Sequence, residues 1–312
     1  MGRIGRLPLE VFMKSAVPAV LVLVLAASIA AAGEFPVTVH ERTLDNGLKV
    51  LVLPRKGVPT SPLAIAYDVG SVHERPGRTG LAHYLEHMMF KGTKKTGVKD
   101  LAIDARLRAK LDEVIAETIR LEDGPATPEA LARIAELKAE RDRLIGEQKA
   151  NTEINHLFKI YREAGSTFTN AMTSNDRTIY IAALPPEKIE LFFWVEADRL
   201  RDIVFRQFHA EKDVVREERR MYENRPGAHF NEAIDRAFFG PHPYSHGVLG
   251  SHDDLRRLTR TELREFWSRY YSVDNATIFV GGDVDPERVF ALAERYFGAM
   301  KPSTAKRPRI PT

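Results

Sequence analysis

GRTGLAHYLEHMMFKGT, residues 77–93, is the stretch from which the rest of the chain can be organised. Side chains three and four apart share one face of a helix, stacked a turn above each other. His83 and His87 are four apart, so two imidazoles face one point, a spacing that lets both bind one metal ion. Glu86 lies on the same side, one position before His87, where it can reach a metal-bound water without being a ligand itself. Gly80 punctuates the predicted start of the helix. Leu81, Leu85, Met88 and Met89 supply apolar positions at helical spacing, and Gly92 marks the predicted stop.

Composition narrows what such a site can be made of. The 312 residues include no cysteine, which excludes disulfides and thiolate ligands, so a metal must be held by His, Asp or Glu. With 44% hydrophobic and 29% charged residues the chain is ordinary globular material, long enough to bury a core without staples. The formal charge is +3, but Arg3, Arg6 and Lys14 against Glu10 place a surplus of two in residues 1–32. Without that segment only +1 remains, and no basic surface for nucleic acid survives.

Residues 1–32 have the make-up of a secretory signal: a basic start, an apolar run over 16–31 and the small residues Ala30, Ala31 and Ala32 before Gly33. Met13 is an alternative start. This predicts export, to the periplasm, with residues 33–312 as the mature domain; the alternative is an uncleaved membrane anchor. Absence of cysteine excludes a lipoprotein.

Beyond the signal the pattern is α+β. Val37, Val39 and His40 precede a turn at 44–47 whose Asn46-Gly47 pair is a hairpin signal, and strands are predicted at 48–53 and 63–69 before the helix. Residues 101–160 differ in kind. Leu107, Leu111, Val114, Thr118 and Leu121, then Leu131, Ile134, Leu137, Leu144 and Ile145, form a stripe broken at Asp123-Gly124-Pro125. Thr127 and Pro128 are a helix cap and first turn, so an antiparallel helical hairpin is expected, serving as a solvated spacer or docking arm. Strands at 167–172 and 177–184 flank the turn-rich residues 173–176. Helices are then predicted from Pro185-Pro186 through Leu200, at 208–224, 231–239, 261–270 and 286–297, with a strand at 276–280. The basic, Pro-rich tail from 302 is expected to be a linker.

A catalytic zinc site needs three protein ligands, so a third must come from another element. The acidic helix EKDVVREERRMYE, 211–223, offers Glu211, Asp213, Glu217, Glu218 and Glu223. His242, His246 and His252 form a further cluster in a loop, where solvated histidines are the expectation.

H-x-x-E-H is the inverted form of the zinc-protease helix motif. With its extension HYLEHMMFKGT the chain resembles the pitrilysin/insulinase family of zinc metallopeptidases, and the likeness covers most of 44–300. The resemblance implies a mostly antiparallel sheet packed against helices, as in mitochondrial-processing-peptidase-like domains, with the helical hairpin at about 101–160 as an insertion. It also implies one Zn2+ per chain and Glu86 as general base. Matching the family run E-x-x-V-V-x-E-E puts the third ligand on Glu218, with Glu217 the alternative, and a carboxylate that braces a ligand imidazole on Glu211. Asn170-Ala171 matches the family's N-A-x-T edge strand, to which a peptide substrate adds by main-chain hydrogen bonds.

Family members continue into a second, related domain that is absent here. The implied function is therefore a zinc endopeptidase for peptides or unfolded segments, needing a second domain or a partner subunit for full activity. The alternatives are a non-catalytic peptide-binding or scaffold subunit and an inactive fragment.

Overall fold

The computed structural model describes residues 38–308 and 310. Val37 and the signal segment at 1–32 lie outside the described residues. In chain order the strands and helices are β1 His40–Thr43, β2 Lys49–Pro54, β3 Ser61–Tyr67, α1 Leu81–Met88, α2 Leu101–Glu122, α3 Pro128–Ala150 and α4 His156–Glu163. They continue with β4 Phe168–Thr173, β5 Thr178–Leu184, α5 Ile189–Asp202, α6 Phe208–Glu223, α7 Ala228–Phe239, α8 His252–Arg257, α9 Arg260–Tyr270, β6 Ala276–Gly282 and α10 Pro286–Phe297.

The first hairpin forms where Asn-Gly predicts it. Thr43 faces Lys49, Gly47 takes the left-handed φ of +91°, and a Cβ there would press on Asp274. Asn46 also donates to the carbonyls of Phe297 (2.8 Å) and Met300 (3.1 Å), tying the turn to the end of α10. The six strands lie in the order β1-β2-β6-β3-β5-β4. Only β2–β6 is parallel among these pairs; the rest are antiparallel, the α+β arrangement expected.

Alternation gives the sheet two unlike faces. Val50, Val52, Leu63, Ile65, Tyr67, Tyr180, Ala182, Leu184, Ile278 and Val280 are buried on one, in a core shared with Tyr84, Phe192, Phe193, Val289 and Phe297 of the helices. α5 and α10 cover β3 and β2, while α1 lies against β4 and β5. The opposite face carries Leu53, Phe168, Met172 and Phe279, each more than a third exposed. β4 ends the sheet, so its outer edge is unpaired among the described residues.

The hairpin of α2 and α3 has its own small core of Leu107, Leu111, Val114, Leu137 and Leu144. Leu131 falls in the predicted stripe but is 54% exposed. Nor is the hairpin a free arm. Asp104 pairs with Arg206 (3.0 Å), Asp112 with Arg260 (2.9 Å) and His209 (2.8 Å), and Asp123 with Arg256 (2.8 Å) and Arg257 (2.9 Å). These pairs fix it along α6, α8 and α9. Arg206 is fully buried and also donates to the carbonyls of Lys91, Thr93 and Thr96, so one guanidinium holds both the hairpin and the loop after α1. Phe205 and Gln207 beside it adopt positive φ, a strained link that this anchoring over-determines. The tail is also held: Arg307 donates to Asp274 (2.8 Å) and Ser272 (2.7 Å), partners that its linker-like composition does not reveal.

Candidate metal centre

α1 begins at Gly80, whose φ is +84° and where a Cβ would meet the Leu249 carbonyl at 2.7 Å. The first turn is capped by Glu74, which accepts from the backbone N–H of Gly80 (2.8 Å) and Ala82 (2.7 Å). Burial pushes the Glu74 carboxyl up to about 8, against the pull of those N–H donors. Leu81, Leu85 and Met88 sink into the core, which turns His83, Glu86 and His87 towards α6 and β4. The helix ends at Met88, ahead of the expected stop at Gly92: the N–H groups of Phe90 and Lys91 turn to the carbonyls three residues back, His87 and Met88, and the Met89 carbonyl accepts from Arg199 (3.0 Å).

α6 is set against α1 by Phe208 and Val215, both fully buried, and by the Tyr84 hydroxyl, which donates to the Phe208 carbonyl. Lys212 extends to the carbonyls of Arg256 (3.1 Å) and Leu258 (2.7 Å) and fixes the other side of α6. Glu211 and Glu218, nearly two turns apart, therefore both face α1.

The rings of His83 and His87 are 4.7 Å apart. Their Nε2 atoms approach one oxygen of Glu218, at 3.6 Å from His83 and 3.5 Å from His87. Zinc bonds of about 2.0–2.2 Å in a tetrahedron separate donor atoms by roughly 3.4 Å, so the spacing suits that ion. Two imidazole nitrogens and one carboxylate oxygen are also a donor set that zinc accepts. Among the described residues this is the one group of three His, Asp or Glu donors gathered to hold a metal. Glu217 turns instead to Arg220 (2.7 Å), Asp213 to Arg216 (3.8 Å), and Glu223 to Arg219 (2.9 Å) and His252 (3.0 Å). His242, His246 and His252 do not converge: His242 accepts from the Tyr244 N–H and His246 lies 3.8 Å from Glu74.

Around the group, Glu211 bonds His87 Nδ1 at 2.9 Å and pairs with Lys91 through its other oxygen. Glu86 accepts from the Thr173 hydroxyl at 2.6 Å. Burial, then the neighbouring His87, depress His83 to about 3, which keeps its imidazole neutral, the form that ligates. Burial works the same way on His87, but the hydrogen bond and charge of Glu211 outweigh it and raise its pKa. Burial raises Glu86, only partly opposed by Thr173 and His87. Asn170 and Ala171 sit mid-strand in β4, three and two residues before Thr173. A cavity of about 170 Å³ lined by Phe90, Lys91, Phe158, Glu211 and Val214 flanks the group.

Glu74, Lys91 and Thr173 are functional neighbours that the ligand and base motifs in the sequence do not single out. The turn-rich composition of 173–176 predicts Thr173 in the turn after β4, whereas it closes the strand; the T of N-A-x-T is the signal that marks it.

Comparison with known proteins agrees with the motif. The family model described as Insulinase (Peptidase family M16) matches residues 49–106 and 143–252, and that described as Peptidase M16 inactive domain matches 257–312. The interruption falls within the α2–α3 hairpin. The chain is 27% identical over 287 residues to the zinc protease PqqE of Helicobacter pylori, covering 90% of this chain and 51% of that protein. It is 25% identical over 259 residues to the uncharacterized zinc protease YmxG of Bacillus subtilis, covering 82% and 49%. Among solved structures, a protease from Helicobacter pylori matches with a TM-score of 0.66 at 25% identity over 88% of this chain and 53% of that one. Pitrilysin matches with a TM-score of 0.63 at 20% identity, over 90% of this chain and 24% of its own. The chain thus spans about half the length of the zinc proteases it matches. Since the insulinase model alone accounts for more than half of its residues, the chain belongs to peptidase family M16.

Proposed function

We propose that the chain is the catalytic half of a zinc-dependent endopeptidase acting on peptides or unfolded segments. The observation that carries this reading is the approach of His83 Nε2 and His87 Nε2 to a single Glu218 oxygen, with Glu86 one position before His87. In this reading His83, His87 and Glu218 hold one Zn2+, which supplies Lewis acidity towards a water and a carbonyl oxygen.

The remaining work falls to the chain itself. Glu86 takes a proton from the attacking water as its oxygen bonds to the scissile carbon, then passes that proton to the amine released when the C–N bond breaks. A carboxyl raised by burial suits both steps, because its proton affinity is brought closer to those of the activated water and the leaving amine. Glu211 orients the His87 ring through Nδ1, leaving Nε2 towards the metal. The peptide lies along the outer edge of β4, with Asn170 and Ala171 offering main-chain groups. Backbone pairing of this sort recognises extended chains and leaves folded proteins out.

Full activity is proposed to need a second domain, in cis or from a partner subunit, since the zinc proteases matched are about twice as long. Export to the periplasm rests on residues 1–32; a mature chain beginning at Gly33 by N-terminal sequencing supports it, and an intact N-terminus in the membrane fraction favours the anchor.

Glu86→Gln tests the mechanism. The variant is expected to keep one zinc per chain by metal analysis while turnover of an unstructured fluorogenic peptide disappears. Retained turnover contradicts the assignment.

A further inference from the structure

We infer that Thr173 is a positioning residue for Glu86, so that the strand proposed to take up the peptide also aims the base. The inference rests on the reading of Glu86 as the group that takes the proton.

Hydrogen-bond accounting fixes the direction. Thr178 Oγ1 donates to the Val69 carbonyl at 2.9 Å, which uses its one hydrogen. Towards Thr173, 3.4 Å away, Thr178 can then only accept. The Thr173 hydrogen goes to Glu86 Oε2 at 2.6 Å, the shorter and charge-assisted choice.

A terminal carboxyl torsion is soft, so an unheld Glu86 would sample a wide arc. Engaging Oε2 stops that rotation and leaves Oε1 to meet the proton. Register explains why Thr173 can do this. It faces Thr178 in the β4–β5 ladder, and alternation places it with Thr169 and Ala171 on the α1 side of the sheet. Asn170 and Met172 point to the opposite face, Ala171 carries no hydroxyl, and the Thr169 hydroxyl is bonded to that of Ser166 at 3.0 Å.

The same six-residue strand thus has an outer edge free for a peptide and a last residue bonded to the base. Main-chain pairing along β4 would order the strand and with it the Thr173–Glu86 bond, linking occupancy of the edge to the rate of the chemical step.

Thr173→Val removes the donor while keeping shape and strand preference, Thr173→Ser keeps the hydroxyl, and Thr173→Ala serves should valine not fold. With the zinc-loaded full chain and an unstructured fluorogenic peptide, Thr173→Val is expected to lower kcat roughly ten- to a hundredfold. KM and zinc content should stay within about twofold, and Thr173→Ser should recover most of the rate. Independently of turnover, in the metal-free chain labelled with 13C at glutamate carboxyls, the resonance lost in Glu86→Gln should shift in Thr173→Val or Thr173→Ala and stay in place in Thr173→Ser.

An unmoved carboxyl resonance, an unchanged kcat, or a loss confined to KM or zinc overturns the inference. Glu86→Gln run alongside separates the two claims: if it stays active, the base assignment itself fails. If it is dead while Thr173→Val keeps its kcat, only the role of Thr173 is lost.

Discussion

Glu74 shows how much a single side chain outside the metal group can control. Its carboxyl has no exposed surface and caps the helix that presents His83 and His87. Burial raises it from an ordinary 4.5 to about 8, so between those values the folded chain keeps a proton that the unfolded chain releases. Stability from this group is therefore complete below about 4.5 and is lost as the pH climbs through 8. Glu74→Gln cannot titrate. The urea midpoint of the variant minus that of the wild type should rise between pH 5 and pH 9, and a constant difference would show that Glu74 does not carry the proton. Sequence reading passed over Glu74 because an acidic residue in a Gly- and Pro-rich loop looks solvated. His83, Glu86 and His87 were legible because their chemistry and spacing share one turn of helix. Thr173 was not, since its partner lies 87 residues away.

At the scale of elements the hairpin is the informative case. Its seam was readable from Leu107, Leu111, Val114, Leu137 and Leu144, which meet at helical spacing within 38 residues and need nothing from elsewhere. Its anchoring was not. Asp104, Asp112 and Asp123 resemble every other acid of the stripe until Arg206, Arg260 and Arg256, more than a hundred residues on, are brought to them. α4 and α8 escape the sequence for other reasons: the hairpin expected over 101–160 takes in most of α4, and the six residues of α8 are too few to display a period. Two variants separate seam from anchor. Asp104→Ala strands the buried Arg206 charge and should cost about 3–5 kcal/mol in urea unfolding. Leu111→Ala should cost about 2–5 kcal/mol, lost within the hairpin, so that amide exchange quickens over 101–150 while zinc affinity by metal titration is unchanged. A drop in zinc affinity with Leu111→Ala would mean that the hairpin seam supports the site.

Across the whole molecule, the uncovered side of the sheet is what the residues described here leave unfinished. Leu53 (39%), Phe279 (41%), Phe168 (52%) and Met172 (52%) hold apolar surface in water on a face continuous with the edge of β4. Apolar area of this kind marks a contact surface. The isolated chain is expected to bind an apolar dye and to self-associate in sedimentation, and a second domain of the family should suppress both while raising peptide turnover. Dye binding that persists with turnover restored would place the contact elsewhere. That face was invisible in the sequence, because Leu51, Leu53 and Phe279 look like core until the strand order is known. Strand order itself cannot be read from period or turn chemistry when β6, some 220 residues after β2, slips in beside it.

That late arrival has a consequence for how the protein is made. The central position between β2 and β3 stays open until the ribosome has delivered Ala276–Gly282, long after both imidazoles and the acidic helix have emerged. A nascent chain stopped short of that segment has two half-sheets with nothing to join them. It should be cut freely by added protease and should fail to retain zinc, even though every proposed metal donor is already in it.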